Sequence, residues 1–291
     1  MKRRPQITKG TPSVGSFMKK PHANAFHKAG VDKSTSKPVT ATKRIFRQPT
    51  PELVQIYGYH AVYAALTARR RKLLDLYATD NSLARIKEIA AAAGLSPKLV
   101  DIHELSAHLG EDVVHQGLLL EARPLPESDI ADIIHNYGIV LVLDQITDPH
   151  NVGSILRTSC GFGVDAIVVT ERHSPAMAGV LAKTASGALE HVTIVRVVNI
   201  ARSLDQLREA GYMIVGLDSE GENSLQSLNL IQPITLVLGA EGKGLRRLTR
   251  ERCDTIARLE LAGPIKSLNV SNACAAALSL INYRLNKNPK V

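Results

Sequence analysis

From residue 139 onward the chain alternates short apolar runs with stretches whose apolar residues recur every three or four positions. The runs fall at 139–143, 166–169, 192–198, 212–217, 234–238 and 255–259, and the helically spaced stretches at 152–160, 176–187, 204–210, 245–253 and 270–285. Near-continuous apolar runs predict strands buried on both faces, and their alternation with helices predicts a parallel sheet covered on both sides. The expected fold class is α/β. In such sheets ligands gather at the carboxyl ends of the strands, which here carry Asp144, Asp218, Gly239 and the loop after Leu259.

Residues 52–123 follow a different, shorter pattern. Val62, Ala65 and Leu66 have helical spacing, 73–78 reads as a strand, and Asn81 and Ser82 can cap a helix lined by Leu83, Ile86 and Ala90 and stopped by Gly94. Strands are expected at 99–102 and 117–122, which makes this stretch a small α/β unit. Pro124 and Pro126 mark 124–136 as a linker, leaving 137–291 as the larger domain. Inside the small unit Arg69, Arg70, Arg71 and Lys72 form a basic run, read as a solvated helix end with an RNA contact as the alternative.

Charge separates off a third region. The net charge is +9, yet residues 1–47 hold 12 Lys/Arg against the single acid Asp32, so the remaining 24 bases and 26 acids net −2. With few large apolar residues this stretch is expected to be a disordered basic tail. Its Lys2, Arg3, Arg4, Lys19, Lys20, Lys43, Arg44 and Arg47 would contact phosphates; an organelle transit peptide is the minor reading. Cys160, Cys253 and Cys274 show no CxxC and no zinc spacing, so a reducing compartment, ordinary buried thiols and no metal site are expected. No apolar run approaches the roughly 18 residues of a membrane span, which points to a soluble, cytoplasmic protein.

Two nucleotide motifs fail. Lys243 is followed by Gly244 rather than Ser or Thr, so there is no P-loop, and Gly161 and Gly163 follow a helix rather than a strand, the wrong order for a dinucleotide fingerprint. Three stretches remain. Asn151 stands at a helix start with Arg157 six residues on, Glu241 lies in the glycine-rich turn LVLGAEGKGL, and Ser267 and Asn269 precede an alanine-rich helix. Separately they read as a capped helix with a surface arginine, a solvated turn acid and N-caps.

Together the three stretches resemble the SpoU branch of the SPOUT RNA methyltransferases, over residues 137–286. The resemblance implies a parallel α/β domain with a deep trefoil knot, S-adenosylmethionine as cofactor and a homodimer. It implies cofactor contacts by Gly239, Leu259 and Leu268, with Leu238, Gly216 and Leu261, and catalytic or RNA-positioning roles for Asn151, Arg157, Glu241, Ser267 and Asn269. Asn272 stands where that family usually has a small apolar residue, which bears on the packing of the last helix. The opening YGYHAVYAAL, the closing VVHQGLLLEARP and LRRLTRERC at 245–253 are similar to the bacterial 23S rRNA guanosine 2′-O-methyltransferases, whose N-terminal domain binds substrate.

The activity so implied is methylation of a guanosine ribose in 23S rRNA or a large-subunit precursor. That displacement needs aligned reactants and management of a weakly acidic hydroxyl, and no metal. A guanidinium is effectively always protonated, so Arg157 is expected to orient a phosphate and lower the hydroxyl's pKa rather than act as base. Asn151 and Asn269 would position the ribose, with Glu241 holding the arginine or the turn. The alternatives are 2′-O-methylation of tRNA guanosine, a resistance-type rRNA methylation and a non-catalytic rRNA-binding assembly factor.

Overall fold

The computed structural model describes residues 45–134 and 138–287. The first sheet belongs to the small unit: β1 (Val54–Tyr57), α1 (Tyr59–Ala68), β2 (Leu73–Ala78), α2 (Asp80–Ala92), β3 (Lys98–Leu99), α3 (Ile102–Leu109) and β4 (Leu118–Ala122). Its order is β1-β4-β2-β3, with β4 antiparallel to both neighbours and β3 parallel to β2. The strand expected at 99–102 stops at Leu99 because Asp101 and Glu104 form a capping box that opens α3. Asp101 Oδ1 accepts from His103 N at 2.7 Å and Asp101 N donates to Glu104 Oε2 at 2.9 Å. That Asp-x-x-Glu spacing is a legible helix start. Helix α2 begins earlier than expected, after Thr79, and Ser82 turns inward to donate to the Gln116 carbonyl at 2.9 Å.

Of the basic tail, residues 1–44 lie outside the described residues, whereas 45–47 pack on the small sheet. Phe46 lies 4.8 Å from the Tyr77 ring and 4.6 Å from that of His108. Arg47 pairs with Asp75 at 2.6 Å and with the buried Glu121 at 3.5 Å. Arg47 therefore already has carboxylate partners.

The second sheet is built from β5 (Ile139–Asp144), α4 (Pro149–Gly161), β6 (Ala166–Thr170), α5 (Gly179–Thr184), β7 (Thr193–Val197), α6 (Ile200–Glu209), β8 (Met213–Leu217), β9 (Asn223–Ser224), β10 (Ile234–Gly239), α7 (Arg247–Glu251), β11 (Thr255–Arg258) and α8 (Val270–Lys287). Its order is β7-β6-β5-β10-β8-β11-β9, and every pairing is parallel. Strand β5 shows why its apolar run is continuous. Ile139, Leu141 and Leu143 pack in one core with Val152 and Ile155 of α4 and Leu278 and Ile281 of α8. Val140 and Val142 pack in the other with Ile200, Leu204 and Leu207 of α6. Alternate side chains thus leave opposite faces, and both faces are covered.

The expected linker is not free of contacts: Ile130 and Ile133 are buried in the α6-side core, and Tyr212 donates its hydroxyl to the Ile133 carbonyl at 3.1 Å. Asn272 is exposed, while Cys274, Ala277, Leu278 and Ile281 carry the packing of α8, so its departure from the family pattern leaves that helix intact. Burial pushes the Cys253 and Cys274 thiols up to about 12, so neither forms a thiolate readily. Among the described residues no helix is long and apolar enough to cross a membrane.

The two sheets share one core, since Ile56, Leu66 and Leu120 join the cluster that holds Leu141 and Ile155. The basic run sits at this junction. Arg71 is buried and forks onto the buried Glu190, with Nε 3.1 Å from Oε2 and Nη2 2.5 Å from Oε1. Arg70 reaches the Glu190 carbonyl at 3.3 Å and Arg69 the Ala92 carbonyl. Neither a solvated end nor an RNA contact describes Arg71, because a desolvated guanidinium needs a buried partner and here has one. Arg69, Arg70 and Lys72 remain exposed.

Candidate active site

Strands β5 and β10 are adjacent in the sheet, and Gly239 is in register with Asp144 at their carboxyl ends. The chain leaves these neighbours in different directions, so a crevice opens at a switch point of the sheet. Here Gly239 permits a tight return. A Cβ at that position would lie 2.2 to 2.5 Å from backbone atoms of Gly244 and Leu245, because Gly244 N donates to Ala240 O at 2.9 Å and folds the turn onto the strand end. Gly242 and Gly244 supply the positive φ, 74° and 63°. Arg246 anchors the far side of the turn, with Nε 2.6 Å and N 3.1 Å from the buried Asp144 carboxylate.

Three predicted residues meet above this turn. Glu241 Oε1 accepts from Asn151 Nδ2 at 3.0 Å, from Asn269 Nδ2 at 2.5 Å and from Val270 N at 3.4 Å. Asn269 Nδ2 also donates to Asn151 Oδ1 at 3.0 Å, closing the triangle. Each member is set by its element. Asp148 caps α4 by accepting from His150 N at 3.2 Å and Asn151 N at 3.1 Å, which presents Asn151 on the first turn. Asn269 caps α8 through Ser271 N at 2.9 Å, so it is both an N-cap and a member of the triangle. A carboxylate at the start of α8 also complements the helix dipole.

Arg157 is not part of this group. Six residues beyond Asn151 it lies ~9 Å further along α4 and on another face. It is exposed, and among the described residues it has no hydrogen bond or ion pair. Glu241 therefore holds the two asparagines rather than the arginine. Ser267 is exposed on the loop before α8.

A cavity of about 510 Å³ lies on one side of the turn, lined among others by Leu238, Gly239, Leu259, Leu261, Ser267 and Leu268. Gly216 is not part of its lining. It is buried in β8, where a Cβ would meet Leu245, Cys253 and Ile256 at 2.7 to 2.9 Å, so its smallness serves packing on the α6 side. Asp218 also borders the cavity and pairs with Arg250 at 2.7 Å, a contact that sequence spacing did not announce. A second cavity, of about 360 Å³, opens on the other side of the same turn and includes Gln145, Asn151, His173 and Lys243. Nothing in the sequence pattern set Gln145 or His173 apart, since the loops that carry them meet only in the folded chain.

Fold and site together define a parallel α/β enzyme with its ligand site at the switch point and a second α/β unit packed against it. Residues 138–279 match the SpoU rRNA Methylase family, and residues 55–128 match the RNA 2′-O ribose methyltransferase substrate binding family. The chain is 37% identical over 237 residues to the 23S rRNA (guanosine-2′-O-)-methyltransferase RlmB of Coxiella burnetii, covering 78% of this chain and 94% of the relative. It is also 37% identical over 236 residues to the protein of that name from Vibrio cholerae, with 77% and 94% covered. Among solved structures, the AdoMet-bound rRNA methyltransferase from Sinorhizobium meliloti superposes with a TM-score of 0.69 at 21% identity, over 80% of this chain and 88% of that one. The chain belongs to the SpoU rRNA methylase family.

Proposed function

We propose that this chain transfers a methyl group from S-adenosylmethionine to the ribose 2′-hydroxyl of a guanosine in 23S rRNA, or in a large-subunit precursor that contains it. The observation that carries this reading is the closed Asn151–Glu241–Asn269 set, assembled from three separate chain segments between two cavities. The first cavity suits the cofactor: Leu238, Leu259, Leu261 and Leu268 offer apolar surface for an adenine, the backbone at Gly239 is open to close approach, and the Asp218 carboxylate can accept from ribose hydroxyls. Bound there, S-adenosylmethionine supplies a methyl group made electrophilic by its sulfonium.

The protein's part is alignment and charge. Glu241 Oε1 is occupied by three donors, while Oε2 has no partner among the described residues and can accept a hydrogen bond from the attacking hydroxyl. Asn151 and Asn269, locked onto Glu241, hold the ribose against that oxygen. Arg157, exposed and always cationic, lies away from the Glu241 set and holds a phosphate of the RNA. Ser267, beside the first cavity, assists in placing the ribose-phosphate.

At the scale of the chain, the basic N-terminal stretch, the small unit, the segment 124–136 and the domain 137–291 divide the work: the small unit grips rRNA and the larger domain methylates it. The larger domain carries the trefoil knot and pairs as a homodimer in the cytoplasm. Support for the knot comes from the match of residues 138–279 to the SpoU rRNA Methylase family. The test is transfer of labelled methyl to unmodified 23S rRNA and tRNA side by side, with ribose methylation mapped. Label at one guanosine of 23S rRNA is expected. Label in tRNA alone would overturn the substrate, and cofactor binding without transfer to either would point to a ribosomal particle or to the assembly-factor role.

A further inference from the structure

The second cavity and the first share Ala240, Glu241 and Lys243, so they stand back to back across the glycine-rich turn. Asn151 borders only the second, and Val270 only the first. On the methyl-transfer reading, on which this inference rests, a hydroxyl that attacks a methyl held in the first cavity has to arrive from the second.

The other residues that line the second cavity then border the base. Two residues there are held in the left-handed backbone region: Gln145 at φ 60° and His173 at φ 70°. Five non-glycine residues adopt positive φ among the described residues, and two of them line this one cavity. The conformation disfavours any residue with a Cβ, whereas glycine would adopt it freely. Gln145 is pinned there by its neighbours, since Asp144 and Ile146 are both buried and leave the residue between them facing the cavity. Its side-chain amide has no hydrogen bond among the described residues, and neither has the exposed His173 ring. Both positions thus carry a polar or planar side chain in backbone that favours none, in the lining of a cavity that Asn151 and Glu241 also border.

We propose that this cavity receives the target nucleoside, with the Gln145 amide paired to the base edge and the His173 ring against the base face. A carboxamide presents a donor and an acceptor side by side, which complements the donor and acceptor groups along a base edge, and a planar ring offers stacking that does not depend on base identity. Lys243, exposed at the shared rim, meets the phosphate that enters with the ribose.

The experiment uses the full chain with S-adenosylmethionine and unmodified 23S rRNA, measuring KM and kcat for the RNA and, separately, cofactor affinity by calorimetry. Gln145→Gly and His173→Ala are each expected to raise the RNA KM about ten-fold, the size of one lost base contact, with cofactor affinity unchanged. His173→Phe keeps a stacking plane and restores KM. Gln145→Gly relieves the backbone and melts no lower than the parent, so its defect cannot be unfolding. Unchanged KM in both Gln145→Gly and His173→Ala overturns the proposal, as does a loss of cofactor affinity that accounts for the defect. A parent chain that binds cofactor but methylates neither free 23S rRNA nor a large-subunit precursor particle fails before any variant is made; that result removes the methyl-transfer reading and this proposal with it.

Discussion

At Gly239 one methyl group separates a closed turn from an open one. A side chain there would overlap the Gly244 and Leu245 backbone at 2.2 to 2.5 Å, and backbone cannot step aside as a flexible side chain can. Gly239→Ala is expected to lower stability by about 1–3 kcal/mol and to abolish measurable S-adenosylmethionine binding in calorimetry. Arg157 has the opposite character, exposed and unattached among the described residues. Arg157→Lys keeps the charge but loses the planar fork; turnover should collapse while cofactor affinity and melting temperature stay as they were, and full turnover in the lysine variant would exclude the bidentate role. Thr235 is a third case. Its hydroxyl is the one buried side-chain polar atom with no hydrogen-bond partner among the described residues. Thr235→Val removes an unsatisfied group at nearly constant shape and should raise stability by about 1 kcal/mol in urea denaturation.

Elements of the two sheets are joined by a buried ion pair. Arg71 follows α1 and Glu190 follows α5, and Gly187, at φ 93°, brings the chain so close to α1 that a Cβ there would meet Ala64 at 2.6 Å. Removing one partner strands the other charge away from water, so Glu190→Ala should cost about 3–5 kcal/mol, whereas Arg71→Met combined with Glu190→Leu should recover most of that loss. Within the small unit, the turn between α3 and β4 is held by a histidine. His115 Nδ1 accepts from Gly117 N at 3.1 Å and Nε2 meets Ser106 Oγ at 3.0 Å, an arrangement of the neutral ring. Burial, with Lys183 adding to it, holds its pKa below the ordinary 6.5. The unfolded chain therefore takes up the proton first, and the stability tied to the neutral ring is lost as pH falls from 6.5 toward the lowered folded value. Urea midpoints measured across that window should fall on acidification, and His115→Gln should flatten the fall.

At the scale of the whole molecule, charge and mass are separated. The basic excess lies in the first 47 residues, yet Phe46 and Arg47 belong structurally to the small sheet. A chain beginning at Ile45 should melt as the full chain does, while one beginning at Pro49 should melt lower, having lost the Phe46 stacking and the Arg47 ion pairs. The shorter salt slope of RNA binding expected for the chain beginning at Ile45 would measure how many phosphates the preceding bases neutralise; an unchanged slope would show that they neutralise none.

Local pattern alone determined the parallel α/β class, most strands of the larger sheet and the three stretches that carry Asn151, Glu241 and Asn269. Those follow from burial on both faces and from caps and turns, which are short-range in sequence. The capping box at Asp101 was equally short-range and legible, and β9 was too short to leave a periodic trace. Tertiary structure decided the rest. It separated Arg157 from Glu241, turned Gly216 toward the core instead of the cavity, buried Arg71 against Glu190 across 119 residues and brought Gln145 and His173 to the lining of one cavity. The periodicity of a chain reports which face of an element is buried, but which distant group meets that face is fixed only when the sheets close on each other.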